Sequence, residues 1–145
     1  MVTKKVGPIL ILAAASWVLI LSLPLSGCGK KEPPLGYRVS GIRATVGKIL
    51  VSPLAFDGAV VAVEGIAKDV RTSTAESPYI TFKLSDLMGN YINVTIKGDH
   101  TLKENDYLVV GGIYRRARNE IEAREIEVYT GEKTPEEIIM EQKRY

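Results

Sequence analysis

From Ala59 onward the chain alternates apolar and polar residues in short runs separated by turn residues. Tyr79–Ser85 alternates cleanly, with Ile80, Phe82 and Leu84 on one side and Tyr79, Thr81, Lys83 and Ser85 on the other. Tyr91–Lys97 repeats the pattern: Ile92, Val94 and Ile96 inward, Tyr91, Asn93, Thr95 and Lys97 outward. Asp86-Leu87-Met88-Gly89-Asn90 between them reads as a turn. Period two with short turns predicts half-buried strands in an antiparallel sheet. Ala59–Arg71, rich in Val and Ala with Gly65 in its middle, and Tyr107–Tyr114, which contains Gly111-Gly112, are further strands. After the basic turn Arg115–Asn119, Glu120–Tyr129 sets Ile121, Ala123, Ile126 and Val128 against charged residues. The step at Arg124-Glu125 breaks period two and predicts a bulge. The carboxylates of this run read as a solvated sheet edge, where charge discourages pairing with another chain.

These runs make five strands. Glycines inside a strand, here Gly65 and Gly111, let it bend sharply and serve two sheets of a small closed barrel. Five strands in a partly open barrel is the OB architecture. Tyr37–Thr45 reads as an extended lead-in and Val46–Ser52 as a short helix ended by Pro53. Leu54–Gly58 is a turn, with Asp57-Gly58 its strongest signal. Thr134–Met140 predicts a C-terminal helix: Thr134 suits the N-cap and Pro135 the first helical position. Glu136 and Glu137 favour the positive end of its dipole, Lys143 and Arg144 the other.

Before the barrel the chain changes character. Lys4-Lys5 precedes an uncharged run from Pro8 to Leu25, which ends in Leu25-Ser26-Gly27-Cys28. A positive start, an apolar middle and small residues before a cut are the parts of a signal peptide. The positive end stays in the cytoplasm as the apolar run enters the bilayer. Leu25-Ser26-Gly27-Cys28 resembles the lipobox of bacterial lipoproteins. That resemblance implies a diacylglycerol on the Cys28 thiol, cleavage before Cys28, and acylation of its new amino group. Two or three acyl chains anchor stably where one is marginal. The other reading is an uncleaved membrane helix, but Pro24 and Gly27 disrupt its end. Either way the rest of the chain lies outside the cytoplasm. Gly29 stands where an Asp would mark retention in the inner membrane, so the resemblance implies the periplasmic face of the outer membrane in a two-membrane cell. Pro33-Pro34 makes Gly29–Gly36 an extended tether, with Lys30 and Lys31 near the headgroups. The expected organisation is thus a signal peptide over 1–27, a lipidated tether over 28–36, a barrel over 37–130 and a C-terminal helix and tail over 131–145. The fold expected is mainly β: a five-stranded OB-type antiparallel barrel with a short N-terminal helix and a C-terminal helix, preceded by a signal-peptide helix.

Processing also changes the charge. Loss of Lys4 and Lys5 takes the 19 basic residues to 17, equal to the 17 acidic ones, so the net charge of +2 belongs to the precursor. A basic nucleic-acid binder would show a surplus of Lys and Arg. The single cysteine rules out a disulfide framework within the chain and a multi-cysteine metal site.

"Gly-Lys-Ile-Leu-x-x-Pro-Leu-Ala-Phe-Asp-Gly", "Val-Val-Ala-Val-Glu-Gly-Ile-Ala-Lys-Asp-Val", "Tyr-Ile-Thr-Phe-Lys-Leu-Ser-Asp", "Gly-Asn-Tyr-Ile-Asn-Val" and "Glu-Ile-Glu-Ala-Arg-Glu-Ile-Glu-Val" follow one another between Val46 and Tyr129. The series resembles the tRNA-anticodon-binding-like group of OB-fold domains, which includes exported bacterial members. The resemblance implies the fold more than a ligand: some members bind nucleic acid and others have no known ligand.

OB folds bind on the outer face of strands two and three, flanked by the loops after strands one and four. Here that face carries Tyr79, Lys83, Tyr91, Asn93 and Lys97, and the loops carry Lys68, Arg71, Arg115, Arg116 and Arg118. Rings stack on bases and cations track phosphates. The same residue types also furnish an ordinary solvated sheet face. Arg115-Arg116-x-Arg118 is the densest cationic spot, suited to a phosphate, lipopolysaccharide, an anionic lipid or an acidic protein, though solubility of the turn is the simpler account of it. His100 is the only histidine, in a Gly-Asp-His-Thr turn, and a lone histidine is a poor metal site. Cytochrome-maturation haem chaperones share an OB-like barrel, but their His-x-x-x-Tyr motif is absent: Tyr107 lies seven residues after His100. No nucleophile elbow and no phosphate-cradling glycine loop occurs. No cofactor, metal or small-molecule substrate is implied. The expected function is that of a membrane-anchored extracytoplasmic lipoprotein, a non-catalytic binding or adaptor module for a cell-envelope partner. The alternative is an OB-fold nucleic-acid-binding lipoprotein.

Overall fold

The alternating runs close into a ring. A computed structural model describes residues 35–142. The signal peptide, Cys28, most of the tether, Lys143 and Arg144 lie outside the described residues. The element order is β1 (Ile42–Thr45), α1 (Val46–Val51), α2 (Pro53–Phe56), β2 (Val60–Arg71), β3 (Tyr79–Ser85), β4 (Tyr91–Lys97), β5 (Tyr107–Arg115), a 3-10 turn (Arg116–Arg118), β6 (Glu120–Val128) and α3 (Pro135–Gln142). The sheet order is β1-β2-β3-β4-β6-β5, and β5 pairs back onto β2. Strands β2 to β6 thus form a closed barrel of five, with β1 outside the ring. Among the described residues no helix is long and apolar enough to cross a membrane.

The inward sets on β3 and β4 are as the alternation requires: Ile80, Phe82, Leu84, Ile92, Val94 and Ile96 are all buried. They pack with Val61, Val63, Leu108, Val110 and Ile121 into one core. Full burial of such a side chain contributes roughly 1.5–3 kcal/mol. Ser85 departs from the pattern, since it counts as outward in the alternation yet is buried. It lies at the end of β3, opposite Ile66 of β2. Helix α1 is capped by Thr45, whose side chain accepts from the Lys48 amide at 3.1 Å. The helix sends Val46 and Ile49 into the barrel core.

Gly65 marks a change of partner along β2. Val60–Ile66 pairs with β5, and from Ile66 to Arg71 the strand pairs with β3. A Cβ at Gly65 would lie 2.8 Å from the Ser85 carbonyl oxygen and 2.9 Å from Leu84 Cγ, so the bend leaves no room for one. The predicted bulge is present: Gly111 faces Glu125 and Gly112 faces Ala123, which leaves Arg124 as the extra residue. Helix α3 opens with a reciprocal cap. Glu137 accepts from the Thr134 amide at 2.8 Å, and Thr134 Oγ1 accepts from the Glu137 amide at 3.4 Å. Its Ile138 packs on Ile66 and Tyr107.

Four expectations need correction. The lead-in contains a strand, β1, which pairs in parallel with the first half of β2 where β3 does not reach. Pro53–Phe56 is a one-turn helix rather than part of a turn, and Phe56 enters the core. The sheet is not wholly antiparallel, because β4 and β6 run parallel. Lastly, the first half of β6 is no edge: Glu120–Ala123 pairs with β4 on one side and β5 on the other, while Glu125–Val128 pairs with β5 alone.

Candidate functional site

Two shallow grooves of about 400 Å3 each run over the outside of the barrel. The first is lined by Arg71, Thr81, Lys83, Asn93, Arg118 and Glu120, among others. The second is lined by Tyr79, Thr95, Lys97, Arg118, Glu120 and Glu122, with Ala123. Thr95, Arg118 and Glu120 belong to both, so the grooves form one surface across β3, β4 and β6. The register sets its rows. Thr81 faces Thr95, which faces Glu122, and Lys83 faces Asn93, which faces Glu120.

One end is built by a bulge in β2. Asp69 has φ 53, a left-handed conformation that Asp tolerates better than most residues. Glu104 holds it there, accepting from the Asp69 and Val70 amides at 3.1 Å each. The bulge brings Asp69 to Lys83, 2.7 Å away. Lys83 also lies 4.9 Å from the centre of the Tyr91 ring, within cation–π range. The Lys83 hydrogen bond, then its charge, holds the Asp69 carboxyl below its ordinary range, and the same pair raises the Lys83 amine.

The other end is built by the turn between β5 and β6. Asn119 takes φ 45 and folds the chain back. Its side chain donates to the Tyr91 carbonyl at 3.1 Å and accepts from the Tyr114 hydroxyl at 3.2 Å. Arg118 then lies over β6, 3.1 Å from Glu120 and also paired to Glu122. Arg115 pairs with Glu122 at 3.2 Å. The Glu122 carboxyl is lowered chiefly by its hydrogen bond to Arg115, with Arg118 adding to it.

The groove brings together Tyr79, Lys83, Asn93, Lys97, Arg71 and Arg118. Tyr91 is outside its lining and serves as the surface under Lys83. Lys68 and Arg71 belong to β2 itself rather than to the loop after it. Lys68 donates to the Asn105 side chain, in a different loop. Arg115 and Arg116 do not line the groove, and the Arg116 amide donates to Asp57 at 3.0 Å. Sequence reasoning missed Asp69, Glu120 and Glu122 as members of the site. The outward parity of Glu120 and Glu122 was a usable signal, but the parallel β4–β6 pairing that sets them in the groove was not. Arg71 and Lys97 make no ion pair among the described residues. No group of three His, Cys, Asp or Glu side chains gathers as metal ligands among the described residues.

No family model matches the chain, and no curated protein matches it in sequence. Solved structures do resemble it. The structure of yeast Stn1 and Ten1 aligns with a TM-score of 0.55 at 11% identity, over 72% of this chain and 69% of that one. The solution structure of the OB-fold domain of the heme chaperone CcmE from Desulfovibrio vulgaris gives a TM-score of 0.41 at 22% identity, over 48% of this chain and 85% of that one. At 11% identity the first likeness speaks for fold alone, and together with the closed ring and its strand order it makes this barrel an OB fold.

Proposed function

We propose that the chain is a lipid-anchored, extracytoplasmic binding module without catalytic activity, and that its outer groove takes a protein of the cell envelope. The observation that carries this reading is the charge of the groove. Asp69, Glu120 and Glu122 stand among the cations and pair with Lys83, Arg118 and Arg115. A nucleic acid carries a phosphate at every step and meets a carboxylate along each row. Protein surfaces carry both signs, and such a mixed surface favours specificity through complementary charge. Tyr79, half exposed beside Lys97, supplies the aromatic contact that interfaces favour. The anchor rests on Leu25-Ser26-Gly27-Cys28, outside the described residues.

Anisotropy of a labelled single-stranded oligonucleotide with the full chain, at low and moderate salt, tests the ligand class. The expected result is no binding at micromolar protein. Micromolar binding that falls steeply with salt and weakens in Arg71→Ala or Lys97→Ala overturns it in favour of nucleic acid. For the anchor, Cys28→Ala should lose lipid labelling and accumulate uncleaved; normal processing of that variant refutes it.

A further inference from the structure

Strand β1 covers the edge of β2 that β3 leaves open and presents an edge of its own. It pairs with β2 on one side, and among the described residues nothing pairs with its backbone on the other. Ile42 and Arg43 are exposed there. Such a row of free N–H and C=O groups is a template for another strand. Its shortness, four residues, limits the ladder it can offer, but its one charged side chain does not screen the edge, because the guanidinium of Arg43 is turned back to the Gly36 carbonyl.

Two hollows flank this strand. The first, about 270 Å3, is lined by Arg43, Thr45, Lys48, Ala62 and Glu64. The second, about 180 Å3, is lined mainly by apolar groups of Val46, Leu87, Met88, Tyr107 and Ile139. They share Thr45 and Glu64 and so adjoin. A cavity of roughly 150 Å3 holds a benzene ring, so the second has room for one large aliphatic or aromatic side chain. Leu87 and Met88 stand out in the turn between β3 and β4, with Met88 88% exposed. Lys48 is exposed on the rim of the first hollow and makes no ion pair among the described residues.

We infer that the free edge of β1 is a second binding site, one that takes an extended peptide segment as an added strand. Backbone groups on β1 pair with the segment's backbone, as in other strand-addition complexes. One bulky apolar side chain of the segment fills the hollow behind Met88, and an acidic side chain meets Lys48. Neither contact uses the outer groove, so this site stands or falls apart from the function proposed above.

The test uses the full chain and a labelled nonapeptide of alternating threonine and valine, with a central leucine followed two residues later by glutamate. Its control carries proline at every second position and cannot form the ladder. Amide exchange should slow at Ile42–Thr45 with the first peptide and not with the control. Met88→Asp and Lys48→Glu, both at exposed positions, should each leave the melting temperature in place. Met88→Asp replaces apolar surface that the peptide's side chain covers by a charge, so it should weaken the peptide about tenfold or more. Unchanged exchange at millimolar peptide overturns the inference. Equal binding of the proline control, or binding untouched by both variants, does so as well. Protection that appears without peptide and grows with protein concentration assigns the edge to a second copy of the chain, and also overturns it.

Discussion

Gly112→Ala tests the tightest point of the barrel. Gly112 sits beside the bulge, facing Ala123 across the β5–β6 ladder. A Cβ there would lie 2.6 Å from Ala123 Cα and 2.8 Å from the Glu122 carbonyl carbon. Both are backbone atoms of a strand paired on each side, so neither can swing away. Overpacking costs roughly 1–3 kcal/mol, and this rigid site belongs at the upper end. Replacing a strand glycine returns roughly 0.5–1 kcal/mol of chain entropy. The net loss is about 2 kcal/mol, which lowers the melting temperature by about 8–16 °C for a domain of this size. Gly47→Ala is the matched control, since a Cβ at Gly47 meets nothing within 4 Å. In α1 that change should raise the melting temperature by a few degrees, because alanine suits a helix better. Thermal unfolding followed by circular dichroism measures both. If Gly112→Ala melts at or above the wild-type temperature, the close approach of β5 to the bulge is wrong.

Asn119→Ala should cost about 2–3 kcal/mol, from two hydrogen bonds of about 1 kcal/mol each and a left-handed backbone that alanine resists. Asn119→Gly should fall between it and wild type in urea unfolding, and equal losses would count against the strain. By NMR the Asp69 carboxyl should titrate below 3.8 and return to the ordinary range in Lys83→Ala. Because the folded value is depressed, the stabilisation is present at neutral pH and is lost as pH falls through that lowered value; identical titrations would break the pair. The Tyr107 phenol is pushed well above 10.0, first by burial and then by the Glu64 carboxylate. A raised folded value means stability is intact below the ordinary value and falls as pH climbs beyond it. Wild type should therefore lose melting temperature faster than Tyr107→Phe above about pH 10, where an exposed phenol ionises.

What could be read in the sequence was what lies within one strand or one turn. The faces of β3 and β4 followed from alternation, the bulge from one broken period at Arg124, and the α3 cap from Thr134 and Pro135. What could not be read depends on pairing at a distance. Ile-Arg-Ala-Thr has no clean alternation, and β1 forms only because the first half of β2 has an edge that β3 does not cover. The acidic run of β6 looks like a solvated edge throughout, but the ring closes on its first half, Glu120–Ala123, and pairs that half on both sides. The same holds for the site. Tyr79, Lys83, Asn93 and Lys97 were visible as outward residues, but the partners of the cations were not. Asp69 reaches Lys83 only through a bulge held by Glu104, and Arg118 reaches Glu120 and Glu122 only through the left-handed turn at Asn119.

Those partners decide what the groove's cations are for. Lys83 and Asp69 are both substantially exposed, as are Arg115 and Glu122, and exposed ion pairs add little to stability because water and salt screen them. The barrel is held instead by its apolar core, by ring closure and by the glycine contacts. Removing Arg118 therefore changes the groove without unfolding the chain. It also leaves Glu120 without its ion-pair partner and Glu122 with Arg115 alone. In Arg118→Ala the groove becomes more negative in its centre, while Arg71 and Lys97 remain. A ligand that reads uniform negative charge loses affinity through both the missing cation and the uncovered Glu120. A protein partner of mixed charge loses one contact and gains another, at Glu120, for a lysine of its own. Arg118→Ala thus separates ligand classes by the size of its effect, at constant stability.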